Sequence, residues 1–301
     1  QYLYYSFFPL SCSSTLPCSK PFICNRLSTK KLYKIIEDLL KEKIVLAFSG
    51  GVDSALILKI ASSLRQDEND VVAMFFKAPS STEEDLANAK KLAKDMQVKL
   101  YIKDVDIFVD ENITNNSKDR CYHCKSHLFN QALALKEELG YGYVVDGTNT
   151  DDHKVYRPGL TALRDLGVVS PLNMAGFSKE MVRSLAADLG VSVAKRPSAP
   201  CLLTRFPYGT KITPEKLERL EKAEAFIRNL GFIKFRVRDH ANIARIELVA
   251  DDFDKFMKIK DQVTKEFKDL GFSYVTLDLE GFRSGSMDEG LTEEEKKKWV
   301  L

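Results

Sequence analysis

A chain of 301 residues with 44% hydrophobic side chains can bury one large core or two ordinary ones. Its 45 basic and 43 acidic residues leave a formal charge of +2, which excludes the broad basic field that holds nucleic acid by counterion release and favours small-molecule chemistry. No run beyond residue 36 nears the roughly 20 apolar residues of a membrane span, so the body reads as soluble, without a membrane partner.

The first 36 residues contain no Asp or Glu, five Lys or Arg, many Ser and Thr, and the cysteines Cys12, Cys18 and Cys24. That is the composition of a transit peptide, while the apolar stretch Tyr2 to Leu10 also suits a short signal. Residues 1–30 are therefore expected to be a targeting or disordered segment. The protein is expected in the cytoplasm, or in a plastid or mitochondrion if the segment is a transit peptide.

From Ile44 onward, apolar runs alternate with amphipathic stretches. Ile44 to Phe48, Val71 to Phe76, Leu100 to Ile102 and Tyr143 to Val145 read as buried strands, and Ser54 to Leu64, Thr82 to Met96 and Cys124 to Leu139 as helices. Thr82 followed by acidic residues suits a helix N-terminus. The alternation predicts an α/β fold, a parallel sheet covered by helices. A smaller α+β part begins near Thr213: helix Pro214 to Leu230, strands Phe235 to Arg238 and Ile243 to Leu248, helix Phe253 to Leu270, strand Tyr274 to Leu279. The division is placed at residues 205/206, within the Pro- and Gly-bearing stretch Arg196 to Thr213.

Between the first strand and the first helix stands Ser49-Gly50-Gly51-Val52-Asp53-Ser54. Two glycines let the backbone approach an anion, the helix start supplies unpaired N–H groups, and Ser49 and Ser54 add hydroxyls. The motif resembles the PP-loop of ATP pyrophosphatases, which grip the pyrophosphate part of ATP while the α-phosphate moves to a substrate. The lysine of a Walker loop is absent, which disfavours γ-transfer. Asp53 reads equally as a magnesium assistant or a helix cap. Asp146-Gly147-Thr148-Asn149, after the strand ending at Val145, fits the facing half of a nucleotide crevice, with a plain turn as the alternative. ATP with Mg2+ is the expected cofactor.

Beyond residue 36 the cysteines are Cys121 and Cys124, a C-x-x-C pair in Arg120-Cys121-Tyr122-His123-Cys124-Lys125, and Cys201. An odd number disfavours a disulfide framework. Three thiolates could hold an iron–sulfur cluster with one iron open; a redox pair or half a zinc site are the alternatives for C-x-x-C. Arg196 and Arg205 flank Cys201 in sequence and would favour its thiolate.

Taken together, S-G-G-V-D-S, R-C-Y-H-C-K, Y-R-P-G-L from Tyr156, P-C-L-L-T-R-F-P-Y-G-T from Pro200, R-V-R-D-H from Arg236 and A-R-I-E from Ala244 resemble the LarE family across about residues 32 to 290. These are the ATP-dependent sulfur transferases of nickel-pincer nucleotide biosynthesis, which serves lactate racemase. The resemblance implies adenylylation of a carboxylate of pyridinium-3,5-biscarboxylic acid mononucleotide, then displacement of AMP by sulfur to leave a thiocarboxylate. It assigns residues 31–205 to a PP-loop ATP pyrophosphatase domain and residues 206–301 to substrate binding and oligomerisation. It implies a homo-oligomer, commonly a hexamer built as a dimer of trimers. In single-cysteine members the residue matching Cys201 gives up its own sulfur and becomes dehydroalanine; three-cysteine members carry a [4Fe-4S] cluster that passes on a bound sulfide, the variant favoured here on Cys121, Cys124 and Cys201, with Cys201 as a direct sulfur donor the alternative. The family's phosphate site matches Thr204, Arg205, Glu224, Arg236 and Arg238, and arginine forks suit a phosphate. Val155 stands where an acid is expected before Tyr156. A PP-loop tRNA-thiolation enzyme, amide-forming chemistry and a non-catalytic nucleotide-binding module are the competing readings.

Overall fold

Ile44-Val45-Leu46-Ala47 offers no polar side chain to either face, and such a strand is stable only between neighbours with helices above and below. In the computed structural model, which describes residues 20–154, 157–196, 201–283, 285–297 and 299, it is β1 (Ile44–Ala47), an inner strand. On either side β2 (Val71–Lys77) and β4 (Tyr143–Val145) pair with it in parallel. Outside β2 lies β3 (Lys99–Asp104), giving the order β3-β2-β1-β4, the parallel sheet expected of an α/β fold. Burial of each such Val, Ile or Leu contributes roughly 1.5–3 kcal/mol.

Helix α1 (Lys20–Leu40) runs through residue 30 and lays Leu32, Ile36, Leu39 and Leu40 into the core beside the sheet. The crossovers are α2 (Val52–Leu64) and α3 (Glu83–Asp95), the latter opened by a capping box between Thr82 and Asp85. After α4 (Glu111–Thr114) comes α5 (Arg120–Leu139), which starts a turn ahead of the predicted Cys124. Arg120 breaks the apolar spacing in sequence, yet it is buried on the helix with Phe129, Ala132 and Leu135. Three shorter helices follow: α6 (Pro158–Asp165), α7 (Pro171–Met174) and α8 (Lys179–Asp188).

The remainder holds α9 (Pro214–Asn229), β5 (Phe235–His240), β6 (Ile243–Leu248), α10 (Phe253–Met257), α11 (Lys260–Asp269), β7 (Tyr274–Leu277) and α12 (Glu293–Lys297). Strands β5 and β6 are antiparallel, β6 and β7 parallel. The single helix predicted from Phe253 to Leu270 is two: the Ile259 amide bonds the Phe256 carbonyl at 3.0 Å, a tight turn that lets Phe256 and then Val263 and Phe267 all reach the core. No Pro or Gly marks the break. The apolar cluster here joins Leu202, Leu203 and Phe206 to Val237 and Ile246 and takes in Ile107 and Ile113 from the first half, so the expected division at 205/206 lies along a shared core. Among the described residues no helix is long and apolar enough to cross a membrane. The apolar stretch 2–10, Cys12, Cys18, Val155, Tyr156 and Pro200 lie outside the described residues.

Candidate active site

Past β1 the Phe48 amide bonds the Met74 carbonyl at 2.8 Å, and the chain turns through Ser49, Gly50 and Gly51 into α2. Gly50 has φ +71°, and a Cβ there would lie 3.1 Å from the Asp85 carbonyl oxygen and 3.2 Å from the Ala89 nitrogen. The loop is thus pressed onto α3 where only glycine fits. Gly51, the N-cap, places no side chain over the first amides of α2, which begins at Val52. Ser49 Oγ accepts from the Gly51 amide at 3.3 Å and stands 3.3 Å from Ser54 Oγ, which donates to the Gly51 carbonyl at 3.2 Å. Hydroxyls beside a helix N-terminus without a side-chain cap form an anion cradle.

The second loop meets the first. A Cβ on Gly147 would lie 3.0 Å from the Ser54 nitrogen and 3.1 Å from Asp53 Cβ. The contact falls between β1 and β4, where the strand order reverses and α/β sheets open a crevice. Asp146 is buried and accepts from Ser170 Oγ at 2.5 Å and from Thr148. Asp53 does not cap α2; it accepts from Asn149 Nδ2 at 3.1 Å and is ion-paired with Lys179 at the start of α8. At the carboxyl ends of β2 and β3 a cavity of about 560 Å³ is lined by Phe75, Lys77, Thr82, Leu86, Asp104 and Glu221, sharing α3 with the Gly50 contact.

Cys201 is exposed at the head of a 3₁₀ turn, Leu202–Arg205, its carbonyl accepting from the Thr204 amide at 3.0 Å and hydroxyl at 2.7 Å. The arginines flanking it in sequence do not serve it as expected. Arg205 donates to both oxygens of Glu224, at 2.5 and 3.3 Å, and Arg196 pairs with Glu84 at 3.2 Å and Asp85 at 2.9 Å, so carboxylates neutralise both charges. The buried cation at the sulfurs is Arg120, whose Nη2 donates to Cys121 Sγ at 3.3 Å. Cys121 and Cys124 stand one turn apart on α5, on one face. Cys124 packs against the second apolar cluster; burial first, then the charges of Cys201 and Cys121, push its thiol up to about 12. Arg120 links the Cys121 sulfur to the Leu203 carbonyl of the Cys201 turn, yet among the described residues no three Cys, His, Asp or Glu side chains are gathered as a group that could hold a metal ion. Gly159 lets α6 close on this helix, since a Cβ there would lie 2.9 Å from Lys125 Cγ.

Thr204, Arg205, Glu224, Arg236 and Arg238 come together beside Cys201. Arg205 Nη1 donates to Thr204 Oγ1 at 3.0 Å, Arg238 Nη1 to the Thr204 carbonyl at 2.6 Å, and the Val237 amide to Glu224 at 3.2 Å. Arg238 is saturated by both oxygens of Glu247, at 2.8 and 3.2 Å, and by Ser286 at 2.5 Å. Arg236 retains capacity at one nitrogen: Nη1 donates to the Arg283 carbonyl at 2.8 Å and lies 3.8 Å from Glu247, the guanidinium lies 4.5 Å from the Phe282 ring centre, and the buried Nε has no partner. Burial, then the charges of Arg238 and Arg205, push its basicity down, a condition that an anion would relieve.

Residues 25–152 match the PP-loop domain family. Over 268 residues the chain is 37% identical to the pyridinium-3,5-bisthiocarboxylic acid mononucleotide synthase of Lactiplantibacillus plantarum, covering 88% of this chain and 96% of that one. The chain belongs to the LarE family. Other relatives are an uncharacterised Synechocystis protein, 39% identical over 253 residues (83% of this chain, 94% of that one), and an uncharacterised Methanocaldococcus jannaschii protein, 36% identical over 259 residues (85% and 98%). This LarE chain carries the ATP-binding PP-loop domain of an ATP-dependent enzyme.

Four residues beside these groups carry no role in the sequence reading. Lys179 holds Asp53 together with Asn149 of the second loop. Glu247 lay within A-R-I-E without a role, although a strand register pairing it with Arg236 would have exposed it. Arg120 stands in the sequence as the residue before Cys121, with nothing to mark it as buried. Tyr208 donates to Asp288 Oδ1 at 2.9 Å near Cys121; burial and the Asp288 charge raise its hydroxyl far above the tyrosine range.

Proposed function

We propose that this protein is an AMP-forming sulfur transferase that converts a carboxylate of pyridinium-3,5-biscarboxylic acid mononucleotide to a thiocarboxylate, in nickel-pincer cofactor synthesis. The observation that carries this reading is the exposed Cys201 held by the Thr204–Arg205 turn against an arginine network in which the buried Arg236 Nε has no partner, in one molecule with an anion cradle. Ser49, Gly50, Gly51, Val52, Asp53 and Ser54 would hold the pyrophosphate part of ATP, Asp146 and Gly147 the facing side, and the cavity beside α3 the base. The substrate carboxylate attacks the α-phosphorus, pyrophosphate leaves, and the acyl adenylate presents AMP as leaving group. Arg236, with Arg205 and Arg238 around it, would take the nucleotide phosphate.

The Cys201 sulfur then attacks the acyl carbon and AMP departs, giving a thioester. Loss of the Cα proton breaks the Cβ–S bond, leaving dehydroalanine at 201 and a free thiocarboxylate. Magnesium is expected with ATP, but both Asp53 oxygens already have partners, so no step is assigned to it. A cluster form of this reading would use Cys121, Cys124 and Cys201, but among the described residues these thiols are not gathered as a metal-holding group, so the proposal takes the Cys201 form and derives no step through a cluster. A homo-oligomer is part of the proposal, which light scattering checks. With ATP and the pyridinium substrate, wild type is expected to release AMP and pyrophosphate and form thiocarboxylate, and Cys201→Ala to release pyrophosphate without thiocarboxylate. Thiocarboxylate from Cys201→Ala at the wild-type rate would remove Cys201 from the reaction.

A further inference from the structure

The buried arginines among the described residues are Arg120, Arg205 and Arg238. Two of them face carboxylates: Arg205 faces Glu224 and Arg238 faces Glu247. Arg120, only 2% exposed, bonds instead to Asn116 Oδ1, to the Leu203 carbonyl at 2.9 Å and to Cys121 Sγ at 3.3 Å. A buried guanidinium is costly unless negative charge and hydrogen bonds answer it. Here the two oxygens are neutral and no carboxylate answers the charge; the third partner is the Cys121 sulfur. The bond to Leu203 matters because Leu203 belongs to the turn whose first carbonyl is that of Cys201. Asn116 clamps the same stretch from the other side, donating to the Phe206 and Pro207 carbonyls at 3.0 and 2.7 Å.

We infer that Arg120 is a positioning residue for sulfur transfer, its planar fork tying the Cys121 sulfur to the turn that carries Cys201 and its charge facing sulfur that becomes anionic. The inference deepens the proposed function and rests on it for the step concerned. Arg120 has no bond to either nucleotide loop among the contacts described, so it serves the second half-reaction and not the first. A lysine keeps the charge and loses the fork; a glutamine keeps polar bonds to the two oxygens and loses the charge.

Wild type, Arg120→Lys and Arg120→Gln are compared by substrate-dependent ATP–pyrophosphate exchange and by single-turnover thiocarboxylate formation. For Arg120→Gln the exchange is expected within about twofold of wild type and the transfer slower by about tenfold or more, with Arg120→Lys falling between Arg120→Gln and wild type. Transfer by Arg120→Gln at the wild-type rate, or an equal fall in both half-reactions, would overturn the inference. Thermal unfolding of a double-mutant cycle with Cys121→Ala gives a readout free of substrate: the two changes are expected to be less than additive, and additive effects would overturn the tie. Arg120→Lys replaces Arg120→Gln in the cycle if the glutamine variant does not fold. A wild type that makes no thiocarboxylate sinks the proposed function, and the cycle still decides the tie.

Discussion

Gly50 shows how one residue links backbone to chemistry. Its φ of +71° is strained for any other residue, and its missing Cβ leaves the 3.1 Å space before the Asp85 carbonyl. Gly50→Ala should lose about 1–2 kcal/mol in chemical denaturation and weaken ATP binding by titration calorimetry. Gly190, also at φ +71° but with nothing near its absent Cβ, provides the control: Gly190→Ala should lose stability and leave ATP binding unchanged. Cys124 carries a pH signature. Its thiol rises from 9.0 to about 12 in the fold, so its contribution is fully present below pH 9 and lost as pH climbs toward 12. Stability against denaturant, followed across that window, should fall more steeply for wild type than for Cys124→Ala, and parallel curves would count against the burial argument. The Ser49–Ser54 cradle was legible because its contacts are local. The neutralisation of Arg196 and Arg205 was not, since Glu84, Asp85 and Glu224 are distant in sequence and only the fold brings them in.

At the scale of elements, the start of α5 and the Cys201 turn behave as one piece. Asn116 is fully buried and holds Arg120 on one side and the Phe206 and Pro207 carbonyls on the other. Asn116→Ala leaves these groups without partners and should cost about 1–3 kcal/mol in denaturant unfolding, with slower thiocarboxylate formation and intact ATP binding. Strands β1, β2 and β4 were legible as apolar runs, because a strand covered on both faces has no polar face to disguise it. The first turn of α5 was hidden by its polar letters, Arg120 being buried through sulfur and carbonyl partners that no periodicity announces. Likewise α10 and α11 part at Lys258-Ile259 because tertiary packing, and no helix-breaking residue, re-aims the apolar stripe.

Across the whole molecule, the chain returns from its second sheet to the cysteines. Asp288 meets Tyr208, Glu295 pairs with Lys118, and the Trp299 ring lies 5.7 Å from Tyr122 on α5. Both sheets could be read from the sequence; the bond that ties α5 to the Cys201 turn, from Arg120 to Leu203, could not, because it joins residues 83 positions apart. The most direct test of the account is the intact mass of the protein, with its iron content, before and after one turnover with ATP and the pyridinium substrate. The account predicts thiocarboxylate in step with a chain lighter by one hydrogen sulfide, the loss mapping to Cys201; thiocarboxylate formed while Cys201 keeps its sulfur would contradict it.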